Sequence, residues 1–313
     1  MNISPLQMDR KESILAATSE NIPSNKEKSA IMEPGDSVTL CRDNSSDEYP
    51  KRYFIGDLEQ DGYTDIIIQD PELGIYGVEI GDEEEFFSMK PGTERTILPA
   101  PLFNNEWELV GTGEFYETLH PVLNLLFQHR KTGKIVMYDG AGNKDILFPN
   151  VEEVFNSEVK DRKVVATCDV NNDKRSDILW QKDDGTVHVW LMDGSKVVEE
   201  KDFQQNPNSG PEWHVVGAGH FHGRGRNDLV LQKDDGTTKI ELYDGMRFLS
   251  EHELYSSGCD NFICDEPYPF DSMIACVGDA NDDGHSDILS EDNSNSLWLS
   301  VMKGTKEKYC VEI

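Results

Sequence analysis

Five repeats of short apolar strands, each interrupted by an oxygen-rich loop and by glycine turns, predict an all-β chain folded as a β-propeller of about five four-stranded blades. Three observations carry that prediction. The pattern Asp/Asn-apolar-x-x-Gln/Glu recurs at Asp65–Gln69, Asn124–Gln128, Asp177–Gln181, Asp228–Gln232 and Asp287–Glu291, every roughly 50–60 residues. No long segment shows the 3.6-residue apolar period of a surface helix. Each repeat also has room for a four-stranded meander, and blades set radially leave only short sheet edges to protect.

In chain order, residues 1–36 are polar, rich in Ser, Asn, Glu and Lys, and read as a flexible tail. Residues 37–313 are expected to form one propeller domain, with repeats at about 51–106, 107–161, 162–212, 213–272 and 273–313. Ser37–Cys41 looks like a lone strand. Packed beside the last blade, it would bring Cys41 near Cys310. Each repeat opens on an apolar strand: Tyr53–Ile55, Trp107–Val110, Val164–Thr167, Trp213–Val216 and Met273–Val277. A loop leads to the second strand, which starts at the Asp or Asn of the recurring pattern. Thr132-Gly133, Asp184-Gly185 and Asp235-Gly236 then reverse the chain, since glycine accepts the left-handed angles of a tight hairpin. Third strands end at Asp139-Gly140, Asp193-Gly194 and Asp244-Gly245, and weaker fourth strands follow at Val197–Glu200, Phe248–His252 and Tyr309–Ile313. The spacers 81–106 and 255–271 are acidic or rich in Pro and Gly, as surface insertions are.

The loop between the first two strands carries the chemistry. In the fifth repeat Asp279, Asn281, Asp283, His285 and Asp287 hold alternate positions, with Gly284 at the sixth. Alternate oxygen donors around a glycine bend suit calcium, which takes six to eight oxygens at about 2.3–2.6 Å. An EF-hand would need a carboxylate at the twelfth position and a helix after it. Ser290 and the strand-like Ile288-Leu289 stand there instead, so the loop is one that enters a strand. The first repeat keeps the set as Asp57, Glu59, Asp61, Tyr63 and Asp65 around Gly62. The third keeps Asp169, Asn171, Asp173, Arg175 and Asp177 but puts Lys174 at the glycine position, where a left-handed residue with a Cβ costs about 1 kcal/mol. Two strong calcium sites and one weaker one are therefore expected.

Repeats two and four have lost the pattern. Glu114–Asn124 is longer and short of oxygens. His220–Asp228 carries Arg224 and Arg226 where a cation would sit. A transition-metal site from His220, His222 and His214 is the alternative to a decayed loop, but no third ligand is fixed and the arginines oppose a cation.

A formal net charge of -31 argues against nucleic acid and anionic membranes as partners. No apolar run approaches the roughly 18 residues of a membrane helix, and no signal-peptide core is visible near the N-terminus. A cytoplasmic protein, or one exported by a leaderless route, is expected. The six cysteines include no CxxC pair. Cys259 and Cys264 could close a small disulfide in an oxidising compartment, and six thiols in a reducing one would read the same way. No nucleophile elbow, phosphate loop or zinc-type cluster is present, so a non-enzyme is expected.

WHVVGAGHF from Trp213, SDILWQ from Ser176, VWLMDG from Val189 and GDANDDGHSDIL from Gly278 resemble the FG-GAP/VCBS repeat of integrin-like β-propellers. The resemblance covers residues 51–313, most strongly in repeats three to five. It implies a propeller with calcium in the first inter-strand loop of a blade. It also implies similarity to leaderless propeller lectins, although seven blades are usual there and five are found in this chain.

The function expected is a calcium-stabilised binding module, with carbohydrate as the first ligand class. A sugar needs an exposed aromatic face with polar groups around it. Trp107, Trp180 and Trp213 hold strand positions that the repeat fills with core residues, which leaves Trp190 and Trp298 as candidates. A protein-interaction scaffold, such as an adhesin or secreted effector presenting the 255–271 insertion, is the second reading. A glycan lyase or hydrolase is the third.

Overall fold

The computed structural model describes residues 38–39, 51–56, 64–70, 74–79, 95–99, 106–116, 123–138, 151–155, 162–223, 227–254, 272–281 and 283–313. These residues form five antiparallel sheets arranged as a five-bladed β-propeller, and no helix occurs among them. Blade one is β2 (Arg52–Gly56), β3 (Asp65–Asp70), β4 (Gly74–Glu79) and β5 (Arg95–Pro99). Blade two is β6 (Trp107–Gly113), β7 (Asn124–His129), β8 (Ile135–Tyr138) and β9 (Val151–Phe155). Blade three is β10 (Arg162–Cys168), β11 (Asp177–Lys182), β12 (Val187–Asp193) and β13 (Lys196–Asp202). Blade four is β14 (His214–Gly219), β15 (Asp228–Gln232), β16 (Thr238–Asp244) and β17 (Arg247–Leu254). Blade five is β18 (Met273–Gly278), β19 (Asp287–Glu291), β20 (Leu297–Lys303) and β21 (Lys306–Glu312). Every blade is one uninterrupted meander, as the repeat grammar predicts.

Local chemistry sets the turns. Gly133, Gly185 and Gly236 all have positive φ between second and third strands, and Asn295 takes that role in blade five at φ 61. In blade three Gly185 N donates to Lys182 O while Lys182 N donates to Thr186 O, so the glycine closes a three-residue loop. The following turns are tighter. Asp193 pairs with Lys196 across Gly194-Ser195, and Gly194 alone is left-handed there, the type II′ pattern.

The core lies between blades. Phe54, Ile67, Leu109, Phe127, Ile178, Trp180 and Trp190 belong to one cluster spanning blades one to three. Tyr53, Ile55, Ile66 and Ile68 of blade one pack with Cys276, Leu289, Leu299 and Val301 of blade five, so the ring closes by side-chain packing. Gly278 permits the approach at this seam, because a Cβ there would stand 2.9 Å from Ile55 Cβ.

The Gln/Glu of the recurring pattern is the clasp between blades. Gln69 Nε2 donates to Trp107 O (3.0 Å) and its Oε1 accepts from Leu109 N (2.8 Å). Gln181 does the same with Trp213 O (2.8 Å) and Val215 N (3.0 Å), and Gln232 with Ser272 O (3.4 Å) and Ile274 N (3.1 Å). Gln128 Oε1 accepts from Val164 N (3.3 Å). The one glutamate of the series, Glu291, stands at the closing seam and accepts from Tyr53 Oη (3.2 Å). A carboxylate cannot donate to a carbonyl, so the hydroxyl of Tyr53 supplies the proton instead.

One expectation is corrected. The strand at Ser37–Cys41 does not extend the last blade. β1 (Val38–Thr39) pairs antiparallel with β10, the first strand of blade three, and lies against the first strands of all five blades, hence in the axial channel. The side-chain closure of the ring leaves the last blade with no need of an added strand. Cys310 lies in β21, where it accepts a hydrogen bond from Ser300 Oγ (3.6 Å), and Cys41 is outside the described residues.

Candidate functional site

Two of the loops between first and second strands, 169–177 and 279–287, are described almost completely and share one hydrogen-bond plan. Asp169 Oδ1 accepts from Asp173 N (3.1 Å) and its Oδ2 from Lys174 N (2.7 Å). Asp279 Oδ1 accepts from Asp283 N (3.2 Å) and its Oδ2 from Gly284 N (2.8 Å). Asn171 Oδ1 accepts from Asp173 N, and Asn281 Oδ1 from Asp283 N. Asp173 Oδ1 accepts from Arg175 N (3.0 Å), and Asp283 Oδ1 from His285 N (2.9 Å). These bonds curl each loop around its own acidic side chains. The sixth position is left-handed in both, Lys174 at φ 69 and Gly284 at φ 83, so Lys174 does carry the backbone strain its place predicts.

The ninth position differs in kind from the others. Asp177 and Asp287 are fully buried. Asp177 Oδ1 accepts from Met192 N (2.8 Å) on the third strand and its Oδ2 from Val170 N (3.0 Å) in the loop. Asp287 repeats this with Met302 N (2.8 Å) and Ala280 N (2.9 Å). Burial pushes both carboxyls up, Asp177 to about 7 and Asp287 to about 8, the backbone amides pull them back, and the neighbouring loop carboxylates add to the rise. The two buried carboxyls thus lie in the loops that carry exposed Asp173 and Asp283, and the side-chain donors Asp and Asn offer hard oxygens, the kind that calcium prefers. Among the described residues no group of three or more His, Cys, Asp and Glu side chains stands assembled as a metal-ligand cluster. The carboxylates are turned instead onto amides of their own loops. Arg175 bears on the third loop, with Nη1 4.0 Å from Asp173 and 3.7 Å from Asp193.

Blade four shows what the loop becomes without the acidic set. Asp228 Oδ2 accepts from Phe221 N (3.0 Å) and His222 N (3.1 Å) and lies 2.7 Å from His222 Nδ1, while its Oδ1 accepts from Tyr243 N (2.9 Å). His222 is therefore engaged by the carboxylate. His220 N donates to Ser286 Oγ (2.9 Å) of the next blade, and His214 lies 3.3 Å from Asp234. The imidazoles of His222 and His214 thus face different carboxylates, Asp228 and Asp234, while the backbone of His220 is tied to blade five. In blade two Asn124 Oδ1 accepts from Phe115 N (3.3 Å), the same loop-closing bond from a neutral side chain. Of the first loop, Asp57, Glu59, Asp61 and Tyr63 lie outside the described residues, while Asp65 is a buried strand residue. Arg224, Arg226, the insertion 255–271 and its Cys259 and Cys264 also lie outside them.

The two candidate tryptophans part company. Trp190 is 2% exposed and packs edge-on against Trp180, ring centroids 4.2 Å apart, so it offers no face to a ligand. Its third-strand position faces the neighbouring blade and is filled by core. Trp298 is partly exposed, and its Nε1 donates to Asp292 Oδ2 (3.0 Å), which holds the indole in place.

Two polar clusters give no signal in the sequence, because their members are far apart in the chain. Glu108 is buried among Arg52, Arg130 (3.0 Å) and Lys163 (4.0 Å). Between blades three and four, Lys239 Nζ meets Glu241 (2.9 Å), Glu251 (2.8 Å) and Ser209 Oγ (2.6 Å), and Asn206 Nδ2 donates to both glutamates. Tyr243 Oη donates to Glu241 Oε2 (2.8 Å), and burial raises the phenol well above its ordinary value. Every member named here is partnered, and the cluster pins the segment that joins the two blades. Among the described residues no helix is long and apolar enough to cross a membrane.

No protein-family model matches the chain, and no curated protein matches it.

Proposed function

We propose that this chain is a calcium-stabilised, non-enzymatic binding module of the FG-GAP/VCBS type, with carbohydrate as its ligand class. The observation that carries the calcium reading is the shared plan of loops 169–177 and 279–287. Each curls outward-lying oxygens over a buried aspartate whose carboxyl is pushed well above its usual range. A hard dication at that point would neutralise the repulsion without changing the loop-closing bonds, and its role would be to tie the first two strands of a blade together. Asp169, Asn171, Asp173 and Asp177 would hold it in blade three, and Asp279, Asn281, Asp283 and Asp287 in blade five, with the backbone of Arg175 and His285 alongside. The loop 57–65 would hold a third ion.

Support for carbohydrate rests on Trp298, a partly exposed indole oriented by Asp292 on the third strand of blade five. A fixed aromatic face beside a carboxylate suits the apolar side of a sugar ring and its hydroxyls. A glycan array probed with the wild-type protein in calcium buffer, then in EDTA, tests this reading. Binding to a defined glycan class is expected, lost on Trp298→Ala while the melting temperature stays within about 2 °C of wild type. An array with no bound glycan, alongside recovery of a stoichiometric protein partner insensitive to free sugars, would establish the scaffold reading in its place.

A further inference from the structure

We infer that the end of the propeller opposite loops 169–177 and 279–287 carries a binding site for a small oxyanion, with Arg52 as the residue that receives it. The cross-strand pairs Arg52↔Gln69, Glu108↔Gln128, Lys163↔Gln181, His214↔Gln232 and Met273↔Glu291 put five residues at one register position, one from each blade. They stand where the first strands begin, and the loops 169–177 and 279–287 follow the other ends of such strands. Arg52, Glu108 and Lys163 come from consecutive blades, and Arg130, just past the second strand of blade two, joins them at the Glu108 carboxylate.

The bonding of Arg52 is incomplete. Its Nη2 donates to Glu108, while Nε and Nη1 are buried and have no hydrogen-bond partner. A guanidinium carries five N–H donors in a planar fork, and buried donors of a charged group left unmet are costly. Glu108 is shared among several cations, for its Oε1 also lies 4.0 Å from Lys163 Nζ and its Oε2 lies 3.0 Å from Arg130 Nη1. The carboxyl registers their field. Burial pushes it up, yet Arg52, Lys163 and Arg130 together hold it below its ordinary value. The Arg52 side chain is 5% exposed, against 23% for Arg130 and 48% for Lys163, so an arriving anion meets cationic side chains from the surface to the buried fork. Carboxylate, sulfate and phosphate groups have the several oxygens that such a fork grips. The chain's net charge of -31 disfavours polyanions, so the ligand class is a single oxyanion, free or carried by a sugar. The site depends neither on the acidic loops nor on Trp298.

The test is calorimetric titration of the full-length chain with sodium sulfate, sodium phosphate and sodium acetate, each against sodium chloride at matched ionic strength so that screening cancels. Saturable binding of about one oxyanion per chain is expected, with no saturable heat from chloride. Arg52→Lys keeps a charge for Glu108 but removes the fork, so binding should weaken about tenfold or more in a chain that still melts cooperatively. Glu108→Gln removes the carboxylate that repels the ligand, so binding should tighten several-fold. Wild-type affinity in Arg52→Lys, or weaker binding in Glu108→Gln, overturns the proposal. Nuclear magnetic resonance of the wild-type chain decides the matter even if a variant does not fold. The Arg52 Nε–H signal should move saturably with sulfate, and a signal that stays in place at high sulfate also overturns it. A sulfated monosaccharide beside its unsulfated parent then separates the sources. Affinity equal to that of inorganic sulfate assigns the site to a free ion, and tighter binding of the sulfated form alone assigns it to an anionic sugar.

Discussion

Asp228→Ala is expected to lower the unfolding free energy by about 3–5 kcal/mol, seen as a fall in the urea midpoint at unchanged slope. The carboxylate is fully buried and accepts from Phe221 N, His222 N and Tyr243 N, with His222 Nδ1 at 2.7 Å. Removing it strands three backbone donors in the interior, and each buried unmet donor costs roughly 1–3 kcal/mol, partly offset by relaxation. Asparagine should recover some of the loss but not all, since one of its two terminal groups is a donor facing donors. Blade two already uses that compromise at Asn124, whose Oδ1 accepts from Phe115 N at 3.3 Å. The experiment separates two roles that coincide in blades three and five. Blade four lacks the acidic set, so a large effect of Asp228→Ala belongs to the hydrogen bonds alone. It would show that the ninth-position aspartate is first a joint between loop, second strand and third strand.

Glu108→Ala is expected to cost about 3–5 kcal/mol, because it leaves a buried cation without its counter-charge. Arg52 is 4% exposed, its Nη2 donates to Glu108, and its Nε and Nη1 have no hydrogen-bond partner among the described residues. Arg130 and Lys163 bear on the same carboxylate, so one acid bridges the first strands of blades one, two and three. Burial pushes the Glu108 carboxyl up, but Arg52, Lys163 and Arg130 together outweigh it and hold the group below its ordinary value of 4.5. A depressed folded value means that the stabilisation is complete above the unfolded value and is lost as pH falls through the folded one. The stability gap between wild type and Glu108→Gln should therefore be constant at neutral pH and shrink below about pH 4.5. A gap that widened on acidification would contradict the sign of that shift.

The fold was legible because its grammar is local. Asp-Gly turns, short apolar runs and the spacing of the acidic loops each follow from backbone angles and period, and all of them occur within single blades. What lay between blades was less legible. The Gln or Glu of the recurring pattern served to align the repeats, yet its task, clasping the backbone of the next blade's first strand, involves partners more than 30 residues away. The exchange of Gln for Glu291 at the seam has a reason only once Tyr53 is seen opposite it. Trp190 looked available because strand position alone does not tell which face a neighbouring blade will cover. The composition of Ser37–Cys41 marks a strand but not its place, since an axial strand and an outer strand have the same composition. In the loops the donor pattern was visible from residue types, whereas the division between a buried joint at Asp177 and Asp287 and an outward cradle at Asp173 and Asp283 needed coordinates.

Calorimetric titration with calcium of the metal-stripped chain, wild type beside Asp173→Ala and Asp283→Ala, tests most directly whether the loops hold the ion. Both substituted residues are exposed, so the variants should fold. Saturable binding of about three ions is expected in wild type and about one fewer in each variant. Saturating calcium at 100 times the dissociation constant should add about 2.7 kcal/mol per site to the unfolding free energy. No binding heat at any temperature, together with a melting curve unchanged between calcium and EDTA, would contradict it.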